Sequence, residues 1–126
     1  MQEENPFELI AKDSRGYHYR LQSADKSKQI PQIFTHAGFL RGGQSHTNKE
    51  IIVLMSGKMS LTLLEDGIER TMVLKANEPF HVPINVPHIA AFETDSWFYE
   101  IKDLPVETTN YPRWRALVID KMNAKD

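Results

Sequence analysis

The sequence has no cysteine, so disulfides, thiolate metal sites, iron–sulfur clusters and cysteine nucleophiles are all excluded. It has no large excess of one charge either: 15 basic and 17 acidic residues are interspersed along 126 positions, for a formal charge of −2. A positive face able to grip a phosphate backbone is therefore not expected, and nucleic acid is not an expected partner. Long apolar runs are also missing. The longest, Ile51 to Met55, falls far short of the roughly 20 residues a membrane helix needs, so no membrane association is expected. The opening Met-Gln-Glu-Glu-Asn-Pro is acidic where a signal peptide is basic and then apolar, which favours a cytoplasmic location.

What is present is about one domain of chain, 1–126, able to bury roughly two-thirds of its unfolded surface around a single core. Turn signals recur at Ser14-Arg15-Gly16, Gly42-Gly43, Ser56-Gly57, Asp66-Gly67, Ala76-Asn77, Asn85-Val86-Pro87 and Thr94-Asp95-Ser96. That spacing suits short antiparallel strands in a sandwich or barrel. The strand-rich stretches between them are 29–36, 51–55, 59–64, 68–74, 80–82, 88–92 and 97–101. Leu61 and Leu63 alternate with Ser60 and Thr62, the pattern of a half-buried strand. Asp66-Gly67 predicts a hairpin. Pro79, Pro83 and Pro87 forbid a helix and confine residues 80–82 to a short strand. Only the C-terminus reads as helical, over 111–122: Trp114, Leu117, Val118 and Met122 recur at helical spacing after Asn110 and Pro112, which suit a cap and a first turn. The fold class is thus all-β with a short C-terminal helix packed outside the barrel.

The chemistry concentrates between Gly38 and Gly57. In an extended backbone residues two apart share a face, so Gln44, His46 and Glu50 point one way while Ser45 and Thr47 point the other. His88 opens a strand just after the rigid Pro83-Ile84-Asn85-Val86-Pro87 turn and is a natural fourth partner. Two histidines and a carboxylate suit a divalent transition metal with open positions, and an amide oxygen can complete the set.

Other residues have plainer readings beside functional ones. Arg41, next to two glycines, could clamp a phosphate or carboxylate with two nitrogens, or be a surface arginine. His36 is expected to line a pocket or be hydrogen-bonded rather than ligate, because Gly38, Gly42 and Gly43 can reset the strand register. His81 is read as structural. In the stretch from Tyr17 to Tyr19, either both tyrosines or His18 must face inward. Phe92, Trp97, Phe98, Tyr99 and Trp114 are assigned to the core or to a dimer contact.

Gly38, five residues, Gln44, one residue, His46, three residues, Glu50, six residues and Gly57 keep every interval of the first motif of the cupins. Asn77, five residues, Pro83, Ile84, Asn85, two residues, His88 and three residues to Phe92 keep the intervals of the second. The chain therefore resembles a small single-domain cupin over residues 38–92. The resemblance implies a double-stranded β-helix, or jelly roll, with its site in the barrel mouth. It departs from the family at Gln44, where a first metal-binding histidine is usual, and at Asn77, Asn85 and Phe92. Asparagine at two glycine positions is mild because it tolerates positive φ.

The metal set implied is Gln44, His46, Glu50 and His88, holding iron, manganese, nickel or zinc, with Gln44 a weaker and harder donor than imidazole. The alternative is a site without metal, in which Gln44 is simply hydrogen-bonded in a polar pocket. A shorter likeness joins Arg41-Gly42-Gly43-Gln44-Ser45-His46 to cupin-type nucleotide-sugar 3,4-ketoisomerases. The expected activity is isomerisation or epimerisation of a sugar or nucleotide sugar, with His46, His88 and Arg41 as the catalytic groups. A non-haem iron dioxygenase and a non-catalytic module for a small ligand are the alternatives. A small-molecule substrate and a homodimer are the expected partners.

Overall fold

The computed structural model describes residues 8–22 and 27–124, and among them eleven strands and one helix form. The strands are β1 (Glu8–Asp13), β2 (Gly16–Gln22), β3 (Lys28–Thr35), β4 (Leu40–His46), β5 (Glu50–Ser56), β6 (Met59–Glu65), β7 (Ile68–Val73), β8 (Phe80–Val82), β9 (His88–Phe92), β10 (Ser96–Asp103) and β11 (Thr108–Asn110). They build a six-stranded sheet of order β1-β2-β3-β10-β5-β8 and a five-stranded sheet of order β11-β4-β9-β6-β7. All pairings are antiparallel. This is the expected all-β jelly roll. No helix among the described residues is long and apolar enough to cross a membrane.

The core forms where inward positions of the two sheets meet. Ile33, Ile52, Leu54 and Phe98 come from the first sheet; Met59, Leu61, Leu63, Ala90 and Phe92 come from the second. Alternation places them there: in β6, Met59, Leu61 and Leu63 are buried while Ser60, Thr62 and Leu64 are half-covered. Each fully buried aliphatic or aromatic side chain of this kind contributes roughly 1.5–3 kcal/mol. Phe92, which stands at the second motif's asparagine position, is 2% exposed and stacks on Phe98 with ring centroids 5.4 Å apart.

The turns behave as their residues dictate. Asp66-Gly67 closes the β6–β7 hairpin with both residues at positive φ, 52° and 77°. Asn77 and Asn85, the two asparagines at glycine positions, adopt φ of 65° and 62°. At Gly57, φ is +98° and a Cβ would lie 2.2 Å from Ser96 Oγ, so the β5–β6 turn excludes a side chain.

Two expectations need correction. The C-terminal helix, α1, spans Pro112–Asn123 with Pro112 in its first turn, but its N-cap is Tyr111 and not Asn110. Asn110 ends β11 and is spent on Gln44. Trp114 and Val118 pack with Ile89, Leu40, Leu64, Tyr111 and Met122 on the outer face of the second sheet. Leu117 does not join them: it is 48% exposed. Strand β1 pairs with β2 and forms one edge of the first sheet.

Trp97 and Tyr19 stack at 6.4 Å, Phe34 lies 5.1 Å from Trp97 and Tyr17 lies 6.0 Å from Phe34. With these four rings half-covered on the outer face of the first sheet, strand parity turns His18 inward. Phe98 is core, whereas Trp97 and Tyr99 are half-covered.

Candidate metal centre

His46 ends β4, Glu50 begins β5 and His88 begins β9, so the connection 47–49 and the proline-bounded turn before β9 deliver all three to one end of the barrel. Their ligand atoms lie within 4.8 Å of one another and all three residues are buried. Glu50 Oε1 is 3.3 Å from His88 Nε2, and Glu50 Oε2 is 3.5 Å from His46 Nε2. Neither carboxylate oxygen has a hydrogen-bond partner although both are buried. A buried carboxylate left in that state is costly unless something positive binds it.

The outer nitrogens of both rings are tied. His88 Nδ1 is 3.1 Å from the Val86 carbonyl, which can only accept, so Nδ1 carries the proton and Nε2 is the nitrogen turned to Glu50. His46 Nδ1 is 2.9 Å from Thr108 Oγ1 on β11, and the His46 carbonyl accepts from the Asn85 N–H at 2.8 Å. Such outer hydrogen bonds hold a metal-ligating imidazole in its tautomer and orientation.

Burial, followed by the Lys102 and His88 charges, pushes His46 down to about 4, so it stays a neutral imidazole at neutral pH. Burial likewise lowers His88, but the Glu50 carboxylate 3.3 Å from its Nε2 favours the imidazolium and the net shift is upward. Glu50 is raised, by burial first and by Glu100 second. The chemistry of the set, two imidazoles and one buried carboxylate, fits a divalent transition metal.

Gln44 sits opposite His88 in the β4–β9 register and lines the same cavity, with its Nε2 donating to Asn110 Oδ1 at 2.9 Å. The register slips between Gly42 and Gln44, at a bulge carrying Gly43 with φ +78°. A Cβ on Gly43 would come within 3.1 Å of the backbone at Trp114 and Arg115, so the bare glycine lets α1 dock directly behind the ligand strand.

The cavity has a volume of about 280 Å³. Its floor is core: Ile33, Ile52, Met59, Leu61, Ala90 and Phe98. Its polar wall carries Arg15, His18, Arg41, Arg115, Glu100 and Lys102 beside the two histidines. Arg41 is 9% exposed; its Nε donates to Thr35 Oγ1 at 2.6 Å and its Nη2 to the Phe34 carbonyl at 3.3 Å. Burial, helped by the Arg15 charge, lowers Arg41 to about 10, so it remains a cation. Arg15 is paired with Asp13 at 2.8 Å, and Arg115 Nη1 donates to the Gly42 carbonyl at 2.8 Å. Burial lowers His18, leaving it neutral near pH 7. His36 and His81 are exposed and stand apart from this cavity: His36 is 3.7 Å from Asp95, and His81 lies opposite Ile51.

Glu100 and Lys102 were not singled out in the sequence. Lys102 Nζ is 3.1 Å from Glu100 Oε2 and 3.5 Å from Glu50 Oε2. The Glu100 charge, against burial, raises the Lys102 pKa, so the ammonium is firmly protonated. Burial raises Glu100, but Lys102 outweighs it and the net shift is downward. The signal that could have revealed them is period two from Phe98, which places residues 100 and 102 on its inward face.

The two antiparallel sheets form a jelly roll with a histidine–carboxylate cluster in its mouth. Solved structures carry the same fold. Hazelnut (Corylus avellana) vicilin superposes with a TM-score of 0.71 at 11% identity, over 89% of this chain and 39% of that one. Bacillus subtilis oxalate decarboxylase, in a study of its Mn(II) centres, gives 0.70 at 24% identity, over 87% and 31%. CapF bound to the inhibitor 3-isopropenyl-tropolone gives 0.70 at 17%, over 80% and 31%. The chain thus spans about a third of the length of these neighbours. No protein-family model matches the sequence, and no curated protein matches it.

Proposed function

We propose that this chain is a metal-dependent enzyme that acts on a small, oxygen-rich, anionic substrate, by isomerisation or epimerisation of a sugar or nucleotide sugar. The observation that carries the metal is Glu50, whose two buried oxygens accept no hydrogen bond while facing Nε2 atoms of His46 and His88. The Mn(II) centres of the oxalate decarboxylase neighbour support the same reading of the fold. Gln44 is the proposed fourth, weaker donor. A divalent ion bound there supplies Lewis acidity toward a carbonyl oxygen.

The residues of the chain then divide the remaining work. Arg41, a buried guanidinium on the cavity wall, holds an anionic group of the substrate. His18, neutral and facing the cavity, accepts a proton from a carbon next to the carbonyl. The volume of about 280 Å³ admits a small acid or one sugar ring, so the nucleotide of a nucleotide sugar would lie outside. A homodimer belongs to the same proposal, supported by the aromatic outer face of Tyr17, Tyr19, Phe34 and Trp97, and light scattering in solution tests it.

Elemental analysis of protein purified without chelator, followed by titration with Mn(II), Fe(II) and Zn(II), tests the metal. One bound ion per chain is expected. No ion on purification and none on titration overturns the reading.

One observation favours a second reading. Lys102 already offers Glu50 a positive partner at 3.5 Å, as a metal-free module for a small ligand would require. Under that reading His46→Ala weakens ligand binding; under the first it abolishes turnover.

A further inference from the structure

We propose that Lys102 is a tethered cation that competes with a divalent ion for Glu50 and so sets how tightly the site holds metal, with Glu100 drawing the ammonium aside. The inference rests on the metal reading above and concerns what that reading leaves unexplained: a lysine built into the cluster.

Strand register puts it there. β10 pairs with β5 so that Lys102 stands directly opposite Glu50 and Glu100 opposite Ile52. Residues opposite each other in a sheet share a face. Lys102 and Glu100 therefore project with Phe98 toward the barrel interior, and both line the cavity. The ammonium lies between the two carboxylates, 3.1 Å from Glu100 Oε2 and 3.5 Å from Glu50 Oε2, with its side chain 20% exposed.

Charge decides the consequence. With neutral imidazoles, Glu50, Glu100 and Lys102 sum to −1, and a divalent ion brings the group to +1 with the lysine in place. Without Lys102 the same ion would meet −2 and end at zero. In a cavity walled by core side chains, charges a few ångströms apart are weakly screened, so one ammonium is worth at least tenfold in affinity. The flexible four-carbon stem of lysine lets the head move from Glu50 to Glu100 when the carboxylate is claimed. Glu100 then supplies the place where the displaced charge is held.

Titration of Mn(II) and Zn(II) by calorimetry, at one pH, on the native chain, Lys102→Met, Lys102→Arg, Glu100→Gln and the Lys102→Met, Glu100→Gln double variant tests this. Lys102→Met is expected to bind on the order of tenfold or more tighter. Lys102→Arg, which keeps the charge, stays within about twofold of the native chain. Glu100→Gln binds more weakly, and by less in the Lys102→Met background, because the freed ammonium is what occupies Glu50. Equal or weaker binding by Lys102→Met, with the native chain binding metal, overturns the competition and leaves the metal reading intact. Binding by Lys102→Met alone supports the competition and overturns metal dependence of the native chain. Binding by neither overturns both. Should circular dichroism show Lys102→Met unfolded, Glu100→Gln decides: binding as tight as native, or tighter, overturns the proposal.

Discussion

Glu50 Oε1 and His88 Nε2 stand 3.3 Å apart at the barrel mouth, in residues 2% and 5% exposed. Because the other ring nitrogen of His88 is committed to the Val86 carbonyl, a hydrogen bond between this pair needs a second proton on the imidazole. Metal binding must remove that proton. Glu50→Gln deletes the one charged ligand, and the expected loss of metal affinity exceeds the roughly 10–100-fold typical of changes outside the coordinating set. In chelated protein the same change should leave thermal stability unaltered or higher, since a buried carboxylate whose oxygens accept no hydrogen bond is replaced by a neutral amide. Thermal melts with and without chelator check both; a lower Tm in chelator contradicts the account of an unsatisfied carboxylate.

Thr108 acts on His46 from the far side, through the 2.9 Å contact between Oγ1 and Nδ1. Thr108→Val keeps the β-branched shape and removes the partner. Mn(II) or Zn(II) affinity should fall by roughly 10–100-fold while the fold is retained. Unchanged affinity by calorimetry would show that β11 only covers the ring and does not orient it.

How much of this site could be read from sequence follows from the range of each interaction. His46 and Glu50 are four residues apart, and a proline-bounded turn announces His88, so local parity and a family's intervals suffice to find them. Lys102 and Thr108 are different. Glu100-Ile101-Lys102 reads like a strand with charges facing water, and only pairing with β5 puts Lys102 opposite Glu50. Thr108 lies on a three-residue strand with no hydrophobic pattern, fixed solely by its neighbour β4. Spacing puts Leu117 in the helix's apolar stripe, yet only Trp114 and Val118 are buried in α1. Register between distant strands is set by the whole sheet, which is why local periodicity could not supply it.

Gly43 joins the ligand strand to the C-terminal helix. Gly43→Ala would force a Cβ at φ +78° against helix backbone atoms of Trp114 and Arg115 at 3.1 Å, with Arg115 Cδ at 3.2 Å. A destabilisation of about 1–3 kcal/mol is expected from the strained φ, with further loss if α1 lifts from Ile89 and Leu40. Chemical denaturation followed by tryptophan fluorescence reads both effects, since Trp114 is 3% exposed at this contact.

The pH dependence should have opposite signs with and without metal. In metal-free protein His88 is raised above its ordinary 6.5, so its contribution to stability is full below 6.5 and is lost as pH rises through the folded value. Glu50, also raised, disfavours the fold once ionised, and stability is regained as pH falls through its folded value toward 4.5. His46, lowered to about 4, and His18, also lowered, oppose this around and below 6.5, where the unfolded chain takes up protons the folded one refuses. Above that range, where the unfolded histidines are neutral while His88 still titrates in the fold, metal-free protein should therefore melt higher as pH falls. Metal affinity should fall over the same window, because the ion competes with the His88 proton. Melting curves across that range, with and without chelator, check the two slopes.

Arg41 is the residue through which a substrate anion can be tested apart from the metal. Its Nε and Nη2 are occupied by Thr35 and Phe34, and its remaining nitrogen, Nη1, has no hydrogen-bond partner among the described residues in a side chain that lines the cavity. A carboxylate or phosphate would complete the fork. Arg41→Met should lower affinity for glycolate by about tenfold or more, in line with the loss of a charge-assisted hydrogen bond, and change affinity for the neutral glycolamide little. Arg41→Lys should not restore it, since an ammonium offers a point charge where the guanidinium offers a plane fixed by Thr35. Arg41→Met also leaves Thr35, 0% exposed, without its partner, so a stability cost of about 1–3 kcal/mol is expected with Mn(II) affinity preserved. Parallel calorimetric titrations with glycolate, glycolamide and Mn(II) separate these outcomes. Equal loss for the charged and neutral ligands would mean that Arg41 shapes the cavity and does not bind the anion.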